Sequence, residues 1–327
     1  MLVRDAPEPH DDGSALEVLM VRRNLQSDFV GGAFVFPGGA VDLADGGAEA
    51  ESVCRGRSDA EASILLGVDS GGLAYWMAAL RETFEEAGLL LAERPAGPAL
   101  LAGDPEEEAR FVAERARVNA GTRRFLDVCR DESLQLLVGE VHYFAHWITP
   151  MGAPRRYDTR FFVAAAPPGQ QAAHDAGETI AETWISPRRA LEGHRKGDFE
   201  IIFPTIRNLQ AISRFATSRE LLEAAEAASS SVPTIEPRVL SDGNGVRIVL
   251  PGDEGYDDVR VDRPVGVAPN FNDAVRAISR AANHDDGATA GGVSAPPLSA
   301  PPTSAPPVAE PPLAEPPLAE PSEGAIP

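Results

Sequence analysis

The segment Leu80-Arg81-Glu82-Thr83-Phe84-Glu85-Glu86-Ala87-Gly88-Leu89 constrains this chain more than any other. On a helix each residue advances about 100°. With Glu82 as the zero of angle, Glu86 lies near ~40° and Glu85 near ~300°, whereas Met77, Leu80, Phe84, Ala87 and Leu91 fall between roughly 140° and 220°. One face is therefore apolar and is predicted to pack on a sheet, while the opposite flank gathers three carboxylates. Like charges three and four residues apart cost roughly a few tenths of a kcal/mol per pair, a penalty that lysines would remove. Clustered carboxylates suit a hard divalent cation, which prefers oxygen ligands. The helix alone is equally compatible with a solvated acidic face. Arg81 can pair with one carboxylate and hold its rotamer.

Around this helix, apolar runs bounded by turn residues predict strands over 15–23, 33–36, 142–149, 157–166 and 179–185. Helices are expected over 73–92, 105–118, 187–195 and 205–227, with short helical turns reaching Leu137. Glu106, Glu107 and Glu108 fall in the first turn of the second helix, where the helix dipole favours acids. The Gly-, Ser- and Asp-rich stretch 46–72 reads as an inserted loop, and Asp242-Gly243-Asn244-Gly245 as the turn of a late hairpin. Strands alternating with helices argue for a layered α/β (α+β) domain. The expected organisation is a flexible N-terminus over 1–13, a folded domain over 14–228, an extension with a hairpin over 229–280, and a tail over 281–327. That tail carries a Pro-Pro pair every five residues from Pro296. Such a composition cannot bury a core and favours extended polyproline II, so a disordered spacer or a ligand for a proline-recognising partner is expected.

The charge balance narrows the partners. The 327 residues hold 29 Lys and Arg against 50 Asp and Glu, a net charge of −21. Such a surface repels nucleic-acid backbones and anionic membranes, and no cluster of basic residues offsets it, so neither is expected as a partner. No apolar run reaches the roughly 18 residues that a membrane helix needs. The first residues lack the apolar centre of a signal peptide. Cys54 and Cys129 are the only cysteines and suggest a reducing cytoplasm. Neither has a convincing catalytic partner. His142 and His146 would share a strand face about 13 Å apart, too far for a zinc pair. Trp147 and Trp184 read as packing anchors.

Ahead of the acidic helix stands Phe36-Pro37-Gly38-Gly39-Ala40-Val41-Asp42-Leu43-Ala44-Asp45, where a glycine pair lets backbone approach a ligand closely. Together these segments resemble the Nudix box, G-x5-E-x7-R-E-U-x-E-E-x-G-U. Arg81 to Leu89 match at every charged and glycine position, with Thr83 where an aliphatic residue is usual. Gly39 and Asp45 match the first half with Asp in place of Glu, and the short spacer has grown to span Gly46 to Leu80. The long insertion, the Val41-Asp42 pair, Trp147-Ile148-Thr149-Pro150, the stretch from Arg155 to Phe162 and Trp184-Ile185-Ser186-Pro187 are similar to the acyl-coenzyme A diphosphatase branch. A second coenzyme A motif matches at Leu19, Arg22, Gly32 and Phe36 to Gly39, but Arg23, Asn24 and Asp28 depart from it.

The resemblance implies a Nudix fold, a mixed β-sheet sandwiched between helices. It also implies Mg²⁺- or Mn²⁺-dependent hydrolysis of a nucleoside diphosphate linked to another group. On that basis Glu82, Glu85 and Glu86 are the expected metal ligands, and Arg81, Glu82, Glu85 and Glu178 the expected catalytic set. Glu178 or Glu182 would supply a remote carboxylate. Arg22, Gly38, Gly39 and Arg155 are the expected substrate contacts. Arg155, Arg156 and Arg160 either meet phosphates or pair with acids. The expected substrate is a small nucleotide-type molecule, with coenzyme A or its thioesters ahead of ADP-ribose, a dinucleotide or a modified nucleotide. Asp45 and the long insertion keep open a Nudix scaffold that binds without turnover.

Overall fold

The computed structural model describes residues 1–26, 30–95, 97–99, 104–151, 153, 155–242 and 245–259. The proline-rich tail, Asp28, and Gly243 and Asn244 of the expected hairpin turn lie outside the described residues.

The chain opens with strands β1 (Leu2–Asp5), β2 (Leu16–Arg23) and β3 (Phe34–Val35), then a 3-10 turn at Leu43–Asp45. Helices α1 (Gly47–Ser52), α2 (Asp59–Leu66) and α3 (Leu73–Ala87) follow. Next come β4 (Ala92–Arg94), β5 (Gly97–Pro98), α4 (Pro105–Asn119), α5 (Phe125–Asp131) and β6 (Gln135–Leu136). Three longer strands, β7 (His142–Ile148), β8 (Asp158–Ala165) and β9 (Thr179–Ile185), precede α6 (Pro187–Lys196), α7 (Phe203–Ile212) and α8 (Ser218–Ala228). Strands β10 (Thr234–Ile235), β11 (Arg238–Asp242) and β12 (Gly245–Val249) end the described chain.

The principal sheet is mixed and seven-stranded, ordered β10-β7-β8-β1-β2-β3 with β9 also paired to β2. Side chains along a strand alternate between faces, and the buried residues divide accordingly. Leu2, Leu19, Phe162 and Ala164 pack with α1 to α5, including Trp76, Met77, Leu80 and Phe84 of α3. Val3, Val18, Met20 and Val163 pack with α6 to α8 through Ala190, Ile206, Leu209 and Leu221. The sheet is thus covered on both faces, which is why Val18 to Val21 are buried without a break. Among the described residues no helix is long and apolar enough to cross a membrane.

Four expectations need correction. Residues 1–13 are not simply a flexible lead-in, because β1 pairs antiparallel with β2 and parallel with β8, burying Leu2 and Val3. Two apolar residues show no period on their own, and the partners lie far along the chain. The 46–72 insert is not a bare loop but contains α1 and α2. The Ser58 hydroxyl accepts from the Glu61 N–H (3.3 Å), and the Glu61 carboxylate accepts from the Ser58 N–H (2.8 Å), a capping box that nucleates α2. The helix expected to reach residue 92 stops at Ala87. Gly88 turns left-handed (φ 68°) and its N–H closes onto Phe84 O at 3.0 Å, so Leu91 leaves the helical face but stays buried. The helix expected over 205–227 divides into α7 and α8, the second capped by Thr217, whose hydroxyl accepts from the Glu220 N–H. The late hairpin is present, with β11 and β12 antiparallel from Arg238↔Val249 to Asp242↔Gly245.

Candidate active site

Two of the three carboxylates of α3 are buried and Glu85 is half-buried, so the flank is not simply solvated. Glu82 is 9% exposed and Glu86 4%, and Arg81 between their turns is 8% exposed. The polypeptide between β3 and the 3-10 turn lies over them. The Gly38 N–H donates to Glu86 Oε2 at 3.0 Å. Gly39 passes so close that a Cβ there would stand 2.3 Å from Glu82 Oε1, which only glycine avoids.

Arg81 organises the cluster. Its Nε and Nη2 form a fork on Asp45 (2.9 and 3.0 Å), Nη2 also donates to Ala40 O (2.8 Å), and Nη1 reaches Glu82 (2.9 Å) and Glu85 (3.3 Å). Asp45 is 2% exposed, and its second oxygen accepts from the Asp42 N–H (2.8 Å). The Asp in the first half of the motif thus supplies the carboxylate that receives the guanidinium, a bidentate pairing suited to Arg and not to Lys. In the sequence, the position of Asp45 at the end of the Gly39-x5 stretch is the signal for this pairing.

Electrostatics follow from this crowding. Burial pushes Glu82 up to about 7, with Glu85 and Glu178 adding to the rise and Arg81 opposing it. Burial likewise raises Glu86 to about 8; the Gly38 N–H and Arg23 oppose, and Glu82 and Glu178 reinforce. Glu85 is also raised, by burial first, against the pull of Arg81. Glu178 is exposed at the start of β9 yet near enough for its charge to act on both Glu82 and Glu86. Glu182, the other remote candidate, is taken by His174, whose backbone N–H and ring both meet its Oε2.

The expected substrate contacts fare differently. Arg22 donates from Nε to Gly32 O (3.1 Å) and lies over the Phe34 ring, held on the β2–β3 connection. Its neighbour Arg23 is the cation in the field of Glu86, and its Nε is buried without a hydrogen-bond partner. Arg155 is exposed on the β7–β8 connection, 3.5 Å from the Tyr157 hydroxyl, and none of its described contacts is with the α3 glutamates. Arg156 pairs with Glu236 (2.6 Å), and Arg160 pairs with Asp158 (2.9 Å) while stacking on Tyr75. His146 bridges Thr234 (2.8 Å) and Asp158 (2.5 Å). Burial pushes both Cys54 and Cys129 up to about 12, which makes them poor nucleophiles.

These residues fit a hard divalent cation. The donor set is all carboxylate, its members are raised by burial and mutual repulsion that a cation would relieve, and Gly39 leaves no side chain above Glu82. Among the described residues no three His, Cys, Asp or Glu groups are gathered at coordinating positions, and Arg81 draws Glu82 and Glu85 toward itself.

Comparison with known proteins agrees with this geometry. The family described as the NUDT19 Nudix domain matches residues 68–212, from the end of the insert through α7. The acyl-coenzyme A diphosphatase NUDT19 of Gallus gallus is 28% identical over 276 residues, covering 73% of this chain and 72% of that protein. Its Homo sapiens counterpart is 26% identical over 280 residues, covering 76% and 75%. Among solved structures, a Nudix hydrolase from Alicyclobacillus acidocaldarius superposes with a TM-score of 0.51 at 25% identity, covering 68% of this chain and 92% of that one. Sheet and acidic helix agree with the match: residues 68–212 fit the NUDT19 Nudix domain, and the chain is similar to acyl-coenzyme A diphosphatases of that branch over about three quarters of its length.

Proposed function

We propose that this protein is a divalent-cation-dependent Nudix diphosphatase that hydrolyses coenzyme A or acyl-coenzyme A to 3′,5′-ADP and a phosphopantetheine species. The observation that carries the chemistry is the buried carboxylate flank of α3 beneath Gly38 and Gly39, with Glu178 in electrostatic range. The substrate reading is supported by the named activity of the relatives.

In this reading Glu82, Glu85 and Glu86 bind Mg²⁺ or Mn²⁺, and Glu178 completes the set or takes the proton of the attacking water. Bound there, the cation would offset the charge that builds on the diphosphate as the bridging P–O bond breaks. Arg81, locked by Asp45, keeps Glu82 and Glu85 in place and limits the repulsion among them. Gly38 and Gly39 admit the diphosphate close to the carboxylates. Water adds to one phosphorus, its proton goes to a carboxylate, and the bridging oxygen leaves on the other phosphate. Arg23, unpaired at Nε beside Glu86, is better disposed than Arg22 or Arg155 to meet a phosphate oxygen. A reducing, cytoplasmic setting is part of the proposal, supported by two free thiols.

The test is a panel of coenzyme A, an acyl-coenzyme A, ADP-ribose and a dinucleotide, each with Mg²⁺ or chelator, and products read by mass spectrometry. Release of 3′,5′-ADP that stops on chelation is expected. Equal or better turnover of ADP-ribose would remove the coenzyme A assignment and leave the hydrolase.

A further inference from the structure

The turn that presents Glu178 is built around one half-buried anchor, the carboxylate of Asp175. Its Oδ2 accepts the Glu178 N–H (2.9 Å), and its Oδ1 accepts the Thr179 N–H (2.8 Å) and stands 2.6 Å from Thr179 Oγ1. The backbone is wrapped tightly to allow this. Ala176 adopts φ 63°, a left-handed conformation that non-glycine residues rarely take. At Gly177 a Cβ would lie 2.9 Å from Asp175 Oδ2.

The same turn is fastened on both sides. Thr179 Oγ1 lies 3.3 Å from Glu86 O, and the Ala173 N–H donates to Ala87 O at 2.9 Å. The last carbonyls of a helix need partners from outside it; for α3 this segment meets those of Glu86 and Ala87, while Arg115 and Asn119 of α4 take that of Glu85. On the other side the Asn24 N–H donates to Glu178 O (2.8 Å) and Asn24 Nδ2 to Gly177 O (2.9 Å). The carboxylates of α3 and the separate carboxylate of Glu178 are therefore set in register through backbone contacts.

We infer that Asp175 is a positioning residue that fixes Glu178 opposite Glu82 and Glu86, so that carboxylates from two elements serve one divalent-cation site. The inference rests on the reading of Glu178 as part of that site. Groups one step removed from a metal commonly change its affinity by about 10- to 100-fold.

The experiment measures Mn²⁺ affinity of the full chain, by the electron paramagnetic resonance signal of free Mn²⁺, for wild type, D175A, E178Q and the double variant. Melting in chelator is recorded for each. D175A and E178Q are each expected to weaken Mn²⁺ binding by about tenfold, and the double variant to bind no more weakly than E178Q. Wild-type affinity in D175A would overturn the inference, as would the same weakening by D175A in the E178Q background, the mark of a general scaffold role. E178Q with wild-type affinity would overturn it too, since Asp175 would then position nothing. If D175A loses its cooperative melt, D175N, which keeps one acceptor oxygen, carries the same comparison. The coenzyme A reading is judged separately, by wild-type products, and either conclusion can fall alone.

Discussion

Replacing Glu86 by glutamine should make the metal-free protein more stable in alkaline solution while abolishing turnover. The group is raised from 4.5 to about 8 because ionisation places a charge in a buried, already acidic flank. A carboxyl whose folded value exceeds its unfolded one contributes stability at low pH, and that stability is lost as pH rises from the unfolded value through the folded one. At roughly 1.36 kcal/mol per pH unit, the full effect is about 5 kcal/mol. Glu82 ionises against the same field, and relaxation and water entry lower the penalty, so we expect about 2–3 kcal/mol to be recovered. Glutamine retains an acceptor for the Gly38 N–H, which keeps the comparison to one of charge. Urea unfolding in chelator should give equal stabilities near about pH 5 and a clear advantage for E86Q near about pH 9. Mg²⁺ at about 1,000 times its Kd should reverse the order, since it adds roughly 4.1 kcal/mol to the form that binds it. If E86Q is no more stable than wild type in chelator near about pH 9, the account of the flank as a charge-stressed cation site is wrong.

Metal binding itself should strengthen as pH rises through about 7 to about 8, the values to which Glu82 and Glu86 are raised. Protons should be released on binding, which calorimetry in buffers of different ionisation enthalpy will count; no release would contradict those shifts. D45A should destabilise the protein by about 2 kcal/mol in urea titration, less than the roughly 3–5 kcal/mol for a broken buried ion pair because Glu82 and Glu85 still face Arg81. G39A should lower kcat by about 100-fold or more with little change in melting, because its Cβ would displace Glu82 and not a core side chain. A G39A enzyme with wild-type kcat would mean that Glu82 works elsewhere.

The acidic helix was legible because both of its faces carry a strong pattern over several turns, and Gly88 marks its end. Its energetic state was not legible. Angles place three carboxylates on one flank but do not reveal that residues 38–45 fold over it. The helices of the insert were missed because each is short and Gly- or Ser-flanked, although Ser58-x-x-Glu61 carries a capping signature. Thr217-x-x-Glu220 is the same kind of signal between α7 and α8, hidden inside a stretch without Pro or Gly. Pairing of β1 could not be read at all, since its partners are supplied by tertiary structure. Among arginines, sequence analogy favours Arg22 and Arg155, while Arg23 is the one whose charge acts on Glu86. Adjacent strand residues point to opposite faces, so Arg22 and Arg23 cannot both face the glutamates.

The fork between Arg81 and Asp45 also has a bearing on how such a chain can be edited. Gly46, the first residue of the insert, already lies against Ala74 in the first turn of α3. The two ends of the insert are therefore held side by side; Ala50, Val53 and Ala62 between them are buried in the core, while Asp69 and Ser70 stand exposed at a turn. Lengthening a tethered segment adds only about 0.6 kcal/mol of closure entropy per doubling. Nature can use that position as a splice port, and so can an engineer, threading a reporter or a sensor module through the middle of the motif without unseating the groups on either side of it.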